Sequence, residues 1–222
     1  MKTLLSNAWL FAGFLAVAFV LAACGGGGGG SQQGNGSGGG MAGMDHGQMD
    51  HGSMGIGTKG MTRQMVTENG KYSDKAFIDA MVPHHQGAMV MARVALENAE
   101  HEEIRDLSRN IVSTQQAEIG ELKAIKKEEF GTSHVPMEMS SEQMRGMGMM
   151  MDPQSLAEEN PFDRAFIDAM IPHHRSAIEM AKVANQESEN PRIKELAQNI
   201  VSAQKWEIEQ MRRWREQWYS EA

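Results

Sequence analysis

FIDAMVPHHQGAMVMA (residues 77–92) and FIDAMIPHHRSAIEMA (residues 166–181) are two versions of one segment, 89 residues apart. Each carries a proline, two adjacent histidines and flanking methionines. The register continues without a gap on both sides. DKAFIDAMVPHHQGAMVMARVA from Asp74 aligns with DRAFIDAMIPHHRSAIEMAKVA from Asp163, and IRDLSRNIVSTQQAEIGEL from Ile104 with IKELAQNIVSAQKWEIEQM from Ile193. Both copies keep the skeleton NIVSxQxxEI, so one unit of about 50 residues has been duplicated.

Each unit reads as two helices. In the first, Phe77, Met81, Ala88, Met91 and Ala95 recur at the three-and-four spacing of a buried stripe, as do Phe166, Met170, Ala177, Met180 and Ala184. The second helix carries Ile104, Leu107, Ile111, Ile119, Leu122 and Ile125. Its copy carries Ile193, Leu196, Ile200, Ile208, Met211 and Trp214. Asp74 and Asp163 are the predicted N-caps, Glu97–Glu103 and Glu187–Arg192 the predicted turns, and Pro191 belongs in the first turn of its helix. No stretch alternates with a two-residue period, so strands are not expected. Four amphipathic helices bury their stripes most economically as an all-α four-helix bundle. The Phe130–Asn160 connection is long enough to lay the second pair beside the first, and Trp206, Trp214, Trp218 and Tyr219 are expected to close one end.

Polar residues interrupt the stripes. Between Met81 and Ala88 stands His84, and between Met170 and Ala177 stands His173. On the following helices the interruptions are Gln115 with Glu118, and Gln204 with Glu207. Unsatisfied, such groups would cost several kcal/mol, so they must meet one another, water or a metal. Pro83 and Pro172 either kink their helices, freeing the carbonyls of Asp79 and Asp168, or mark a helix start. Either outcome bears on the ring that turns inward, which leaves His84 and His85, like His173 and His174, as alternatives. Bundles that hold di-iron use Glu-x-x-His, whereas here the corresponding pairs are Met81/His84 and Met170/His173. Thioethers suit soft Cu(I) or Ag(I), and imidazole suits copper in either oxidation state. The predicted metal is copper, Cu(I) preferred, with Cu(II) or Ag(I) also compatible. Its ligands are expected from Met81, His84, His85 and Met91, from Met170, His173, His174 and Met180, and from Met211. Gln115, Glu118, Gln204 and Glu207 would support them or ligate occasionally.

Two further tracts carry the same donors. MAGMDHGQMDHGSM supplies Met41, Met44, His46, Met49, His51 and Met54 on a glycine-rich chain with no periodicity and so no core to fill. PMEMSSEQMRGMGMMMDP supplies Met137, Met139, Met144, Met147, Met149, Met150 and Met151, with SSEQM also legible as the cap of a short helix. Both are read as copper- or silver-binding.

The N-terminus reads as an export signal. Lys2 precedes an apolar run ending in Leu21-Ala22-Ala23-Cys24, which resembles a bacterial lipoprotein signal, with cleavage before Cys24 and a lipid on that cysteine. Residues 1–23 are then the signal, 24–70 a flexible Gly-rich and Met/His-rich tether, 71–130 the first helix pair, 131–160 the Met-rich connection and 161–222 the second pair. Losing Lys2 leaves 20 basic against 29 acidic residues, a net charge of −9. No basic patch stands out, so nucleic acid is not an expected partner. A single cysteine excludes an intramolecular disulfide. The expected location is the cell envelope, on the periplasmic face of the outer membrane if the cell is Gram-negative. Expected partners are metal ions, the membrane through Cys24, and a copper-export or copper-oxidase protein.

The FIDxMxPHH core with Met91, Gln115 and Glu118, repeated with Met180, Gln204, Glu207, Met211 and Trp214, resembles the ferritin-like family called domain of unknown function 305. Copper-binding proteins of the CopM type are among its members. The resemblance covers roughly Tyr72–Ala222 and implies a ferritin-like four-helix bundle and extracytoplasmic copper binding by Met and His. This chain departs from the repeat pattern at Leu122 and Ile125 opposite Met211 and Trp214, and at Gln86-Gly87 opposite Arg175-Ser176. The two halves therefore need not be equal. No nucleophile–base pair, phosphate loop or heme-attachment motif is present in the sequence, and the expected role is metal sequestration, tolerance or transfer rather than catalysis; the alternatives are a ferritin-like metallo-oxidase and a structural or adaptor lipoprotein whose polar core is hydrogen-bonded.

Overall fold

The computed structural model describes residues 60–148 and 153–220. Four long helices carry the fold: α1 (Asp74–Asn98), α2 (Glu102–Phe130), α3 (Phe162–Glu187) and α4 (Pro191–Tyr219). Three-residue turns at 99–101 and 188–190 join α1 to α2 and α3 to α4. They are tighter than the predicted turns, and they force each pair into an antiparallel hairpin. The hairpins pack on each other through α1 and α3. None of the described helices is long and apolar enough to cross a membrane.

The helix starts differ from the expectation. Ser73, not Asp74, caps α1, its hydroxyl accepting the Ala76 N–H at 3.2 Å. At α3 the cap position belongs to Pro161, and Asp163 lies one step inside the helix, fully buried. Its carboxylate reaches the α1–α2 turn, accepting the N–H of Glu100 at 3.0 Å and of His101 at 2.8 Å, with His101 Nδ1 at 2.7 Å. Asn190 caps α4, with Pro191 in its first turn as predicted.

Two strands are present where none was expected. Thr67–Glu68 (β1) pairs with Lys71–Tyr72 (β2) around Asn69 and Gly70, both at positive φ. Asn-Gly is the preferred sequence for this tight hairpin turn, so the signal was in the chain but too short for a periodicity argument. A helical stretch at 60–65 precedes it, and Val66 is fully buried against α1. The described residues 60–70 thus include helix and strand, inside the segment assigned to the tether. In the connection, Ser141–Gly146 forms a short helix with a capping box from Ser140 and Gln143, and Pro153–Glu158 a 3-10 helix.

The core divides into two apolar clusters. One joins the start of α1 (Phe77, Ile78, Met81) to the end of α2 (Ile119, Leu122, Ile125), the end of α3 (Ala177, Met180, Ala184) and the start of α4 (Ile193, Leu196, Ile200). The other joins the end of α1 to the starts of α2 and α3 and the end of α4, around Ile104, Ile111, Phe166, Met170 and Ile208. Each cluster therefore mixes opposite ends of α1 and α3, which run antiparallel and are related by an approximate two-fold axis. Burying Phe77 and Phe166 completely contributes on the order of 2 kcal/mol each. The same symmetry appears on the flanks, where Asp79 pairs with buried Lys126 and, 89 residues on, Asp168 pairs with Arg215.

The aromatic C-terminus behaves as expected only in part. Trp214 stacks on Trp218, and Trp218 on His101 with ring centroids 3.7 Å apart. Trp206 instead stands exposed on α4.

Candidate metal centre

Pro83 and Pro172 both lie inside continuous helices, so the helix-start reading does not hold. All four histidines behind them are fully buried, which removes the choice within each pair. His84 and His173 meet across the two-fold axis, with ring centroids 3.8 Å apart and planes tilted by 40°. His85 and His174 turn towards the second helix of their own hairpin, where Nε2 lies 2.7 Å from a carboxylate oxygen of Glu118 and of Glu207 respectively. Gln115 and Gln204 are buried as well. Duplication has therefore built one polar layer at the middle of the bundle, with an apolar cluster on either side.

The hydrogen-bond accounting of this layer does not close. His84 Nε2 contacts Ser176 Oγ at 2.7 Å. Among the described residues, every other ring nitrogen of the four histidines, together with Gln115 Oε1 and both amide atoms of Gln204, has no aligned partner. The short contacts to Glu118 and Glu207 are included in that statement. Their carboxylates lie close to Nε2 but off the direction of a ring N–H, which makes them charge proximity rather than hydrogen bonds. Buried polar groups are normally paired, and a whole layer left open is the pattern of donors awaiting a ligand.

Electrostatics favours the neutral form of the two central rings. Burial, and then the neighbouring imidazoles, push the pKa of His84 and of His173 well below the ordinary value. Neutral imidazole carries a free lone pair, the form that ligates a metal. Among the described residues no group of three or more His, Cys, Asp or Glu side chains is placed to hold a metal ion. The donor set consists of imidazole pairs with thioethers, which fits a soft monovalent cation better than a hard one.

The thioethers regroup relative to the sequence reading, which built each site from one copy. Met81 and Met180 share the first apolar cluster, and Met91, Met170 and Met211 share the second. Each half of the core thus takes methionines from both copies. Met81 and Met170 stand one turn from the layer, whereas Met91 and Met180 are seven residues from their own histidines, about 10 Å of helix rise. Met91 and Met180 therefore stand farther along their helices from His84 and His173 than Met81 and Met170 do.

The connection contributes a residue that periodicity did not single out. Met147 is buried, and its carbonyl accepts from Ser176 Oγ at 2.8 Å. It lines, with Met65 and Met139, a recess of about 210 Å³ beside Ala80 and Pro83 that also exposes Glu68, Asp79 and Glu138. Met137 and Met144 face solvent. Cys24, Met41, Met44, His46, Met49, His51 and Met54, and Met149 to Met151, lie outside the described residues. Ser176 was visible in the sequence only as a departure from Gly87, and nothing there tied it to a histidine.

Comparison with known proteins places this architecture. CopM in its Cu(I)-bound form matches with a TM-score of 0.61 and 39% identity, covering 68% of this chain and 100% of that one. Its Cu(II)-bound form matches with a TM-score of 0.62 and 42% identity over 67% of this chain and 99% of that one. The silver-soaked form gives 0.58 and 38%, over 68% and 100%. An uncharacterized protein of Acanthamoeba polyphaga mimivirus is 43% identical over 49 residues, 22% of this chain, and the match spans about a third of that relative, 32%. The family model described as a domain of unknown function, DUF305, matches twice, at residues 28–126 and 124–215. The chain belongs to the DUF305 family, one copy of the domain in each half.

Proposed function

We propose that this protein binds copper, preferentially Cu(I), outside the cytoplasm, and acts in its sequestration or transfer at a membrane to which Cys24 tethers it. The observation that carries the reading is the layer of four fully buried imidazoles in which, among the described residues, only His84 Nε2 has an aligned hydrogen-bond partner. Thioethers one turn away at Met81 and Met170 complete a soft donor set. The likeness to CopM, whose structures hold Cu(I), Cu(II) and silver, supports the same class of cargo here.

The chemistry favours exchange over storage. No thiolate is available to lock the ion, and thioether–copper bonds are weak enough to be passed from one site to another. The Met/His tract at 41–54 gathers the ion from solution, and the recess beneath Met139 and Met147 offers thioethers on the way to the layer. Glu118 and Glu207 supply negative charge beside His85 and His174, which offsets the charge of a bound cation.

The test is an anaerobic titration of Cu(I) against a chromogenic chelator, on the mature chain and on its His84→Ala/His173→Ala double variant. The expected result is tight binding that drops by at least tenfold in the double variant. Equal competition by the two would assign the copper to the methionine tracts and leave the layer without a metal role.

A further inference from the structure

The position that distinguishes the two copies most sharply inside the polar layer is Ser176, opposite Gly87. Its hydroxyl lies in a fully enclosed pocket of three polar atoms: Met147 O at 2.8 Å, His173 O at 2.7 Å and His84 Nε2 at 2.7 Å. A hydroxyl has one proton to give and two lone pairs to offer. The two carbonyls have none to give. If the hydroxyl proton pointed at His84, both carbonyl oxygens would press on its lone pairs at hydrogen-bond distance with nothing between them. Directing the proton to one carbonyl relieves one of these two repulsions, where donating it to Nε2 would relieve neither, and the Oγ–Nε2 contact is then attractive only when Nε2 carries a hydrogen. His84 is fully buried and its hydrogen-bond contact is a hydroxyl and not a carboxylate, so the ring holds a single proton, and with that proton on Nε2 the Nδ1 atom is bare. Among the described residues Nδ1 of His84 has no aligned partner.

We propose that Ser176 is a positioning residue of the metal centre, holding His84 in the tautomer protonated at Nε2 so that Nδ1 is the atom presented to the metal. The tautomer follows from the hydrogen-bond geometry alone, and the role of Nδ1 rests on the copper reading above. The position related to Ser176 in the other copy is Gly87, which has no hydroxyl to offer, so His173 is not held in this way, and among the described residues neither of its ring nitrogens has an aligned partner. The two halves of the layer are therefore chemically unequal despite their symmetry. The same hydroxyl also ties His84 to the connection through Met147. Gly148 makes that approach possible: at φ +73°, a Cβ there would sit 2.8 Å from the backbone of Pro172 and His173.

The test is long-range proton–nitrogen correlation NMR on the metal-free full chain labelled with 15N-histidine. His84 is expected to show a single tautomer, with a pyrrole-type Nε2 and a pyridine-type Nδ1. Ser176→Ala is expected to abolish that single-tautomer signature and to weaken Cu(I) binding about tenfold, and Ser176→Thr to keep both. A wild-type His84 protonated at Nδ1 would overturn the proposal without need of any variant. So would an unchanged tautomer in Ser176→Ala, or a tautomer change that leaves Cu(I) affinity untouched. Because the tautomer is read without metal, failure of the copper reading would show separately, as a wild-type chain that does not compete for Cu(I).

Discussion

An imidazole sealed in a protein without a hydrogen bond forfeits the pairing it had in water, and among the described residues His85, His173 and His174 are three such rings. If the layer binds copper, stability is given up for binding at these positions. His173→Leu, close in volume and free of polar atoms, is expected to leave the metal-free protein as stable as wild type or more stable by about 1 kcal/mol. Its thermal shift on adding Cu(I) should shrink. Marked destabilisation by calorimetry would mean that the ring is satisfied after all. The same burial sets a pH dependence. His84 and His173 resist protonation in the fold, while the unfolded chain takes up protons as pH falls through the ordinary value of 6.5. The metal-free protein should therefore be fully stable above that value and lose up to about 1.4 kcal/mol per pH unit per ring below it. His85, His174, Glu118 and Glu207 face the same layer, so replacing His84 and His173 by leucine should flatten the slope of stability against pH between 7 and 5 rather than abolish it. An unchanged slope would show that the two rings carry none of it. Polarity on an apolar stripe was legible in the sequence at His84, His173, Gln115 and Gln204. The atom that each ring offers was not, because it depends on Ser176 and Met147, which are 92 and 63 residues from His84 in the chain.

Helices and their phasing were legible because the three-and-four pattern is local. Their ends were less so, since a cap is decided by one backbone angle and Ser73 competes with Asp74 for the same role. The displaced aspartate at the start of α3 does different work. Asp163 holds two turn N–H groups and His101, all from the other hairpin, whereas its counterpart Asp74 accepts from the Tyr72 hydroxyl two residues away. Asp163→Ala should therefore cost about 3 kcal/mol, leaving buried donors unpaired, and Asp74→Ala about 1 kcal/mol or less. Chemical denaturation of the two variants checks this, and equal losses would contradict the assignment of Asp163 as the link between hairpins. The Asn69-Gly70 hairpin shows the opposite limit: two residues determine the turn, and periodicity has nothing to measure over strands of two residues.

At the scale of the whole molecule, duplication was plain in the sequence, and with it the four long helices, though not the short helical segments at 60–65, Ser141–Gly146 and Pro153–Glu158. What a repeat cannot disclose is where its symmetry axis runs. Placing the axis between His84 and His173 turns two expected sites into one shared layer, and running α1 against α3 sends Met91 into the company of Met170 and Met211. Met211 has only Leu122 as its counterpart, so the two thioether clusters differ as the two histidines do. If a soft metal is bound in this layer, between the copies, an anomalous difference map at the copper edge from crystals of the Cu(I)-loaded chain will locate it. Density is expected in the layer within bonding distance of His84 Nδ1 and of a ring nitrogen of His173. Density confined to the methionine tracts, with the layer bare, would contradict this expectation.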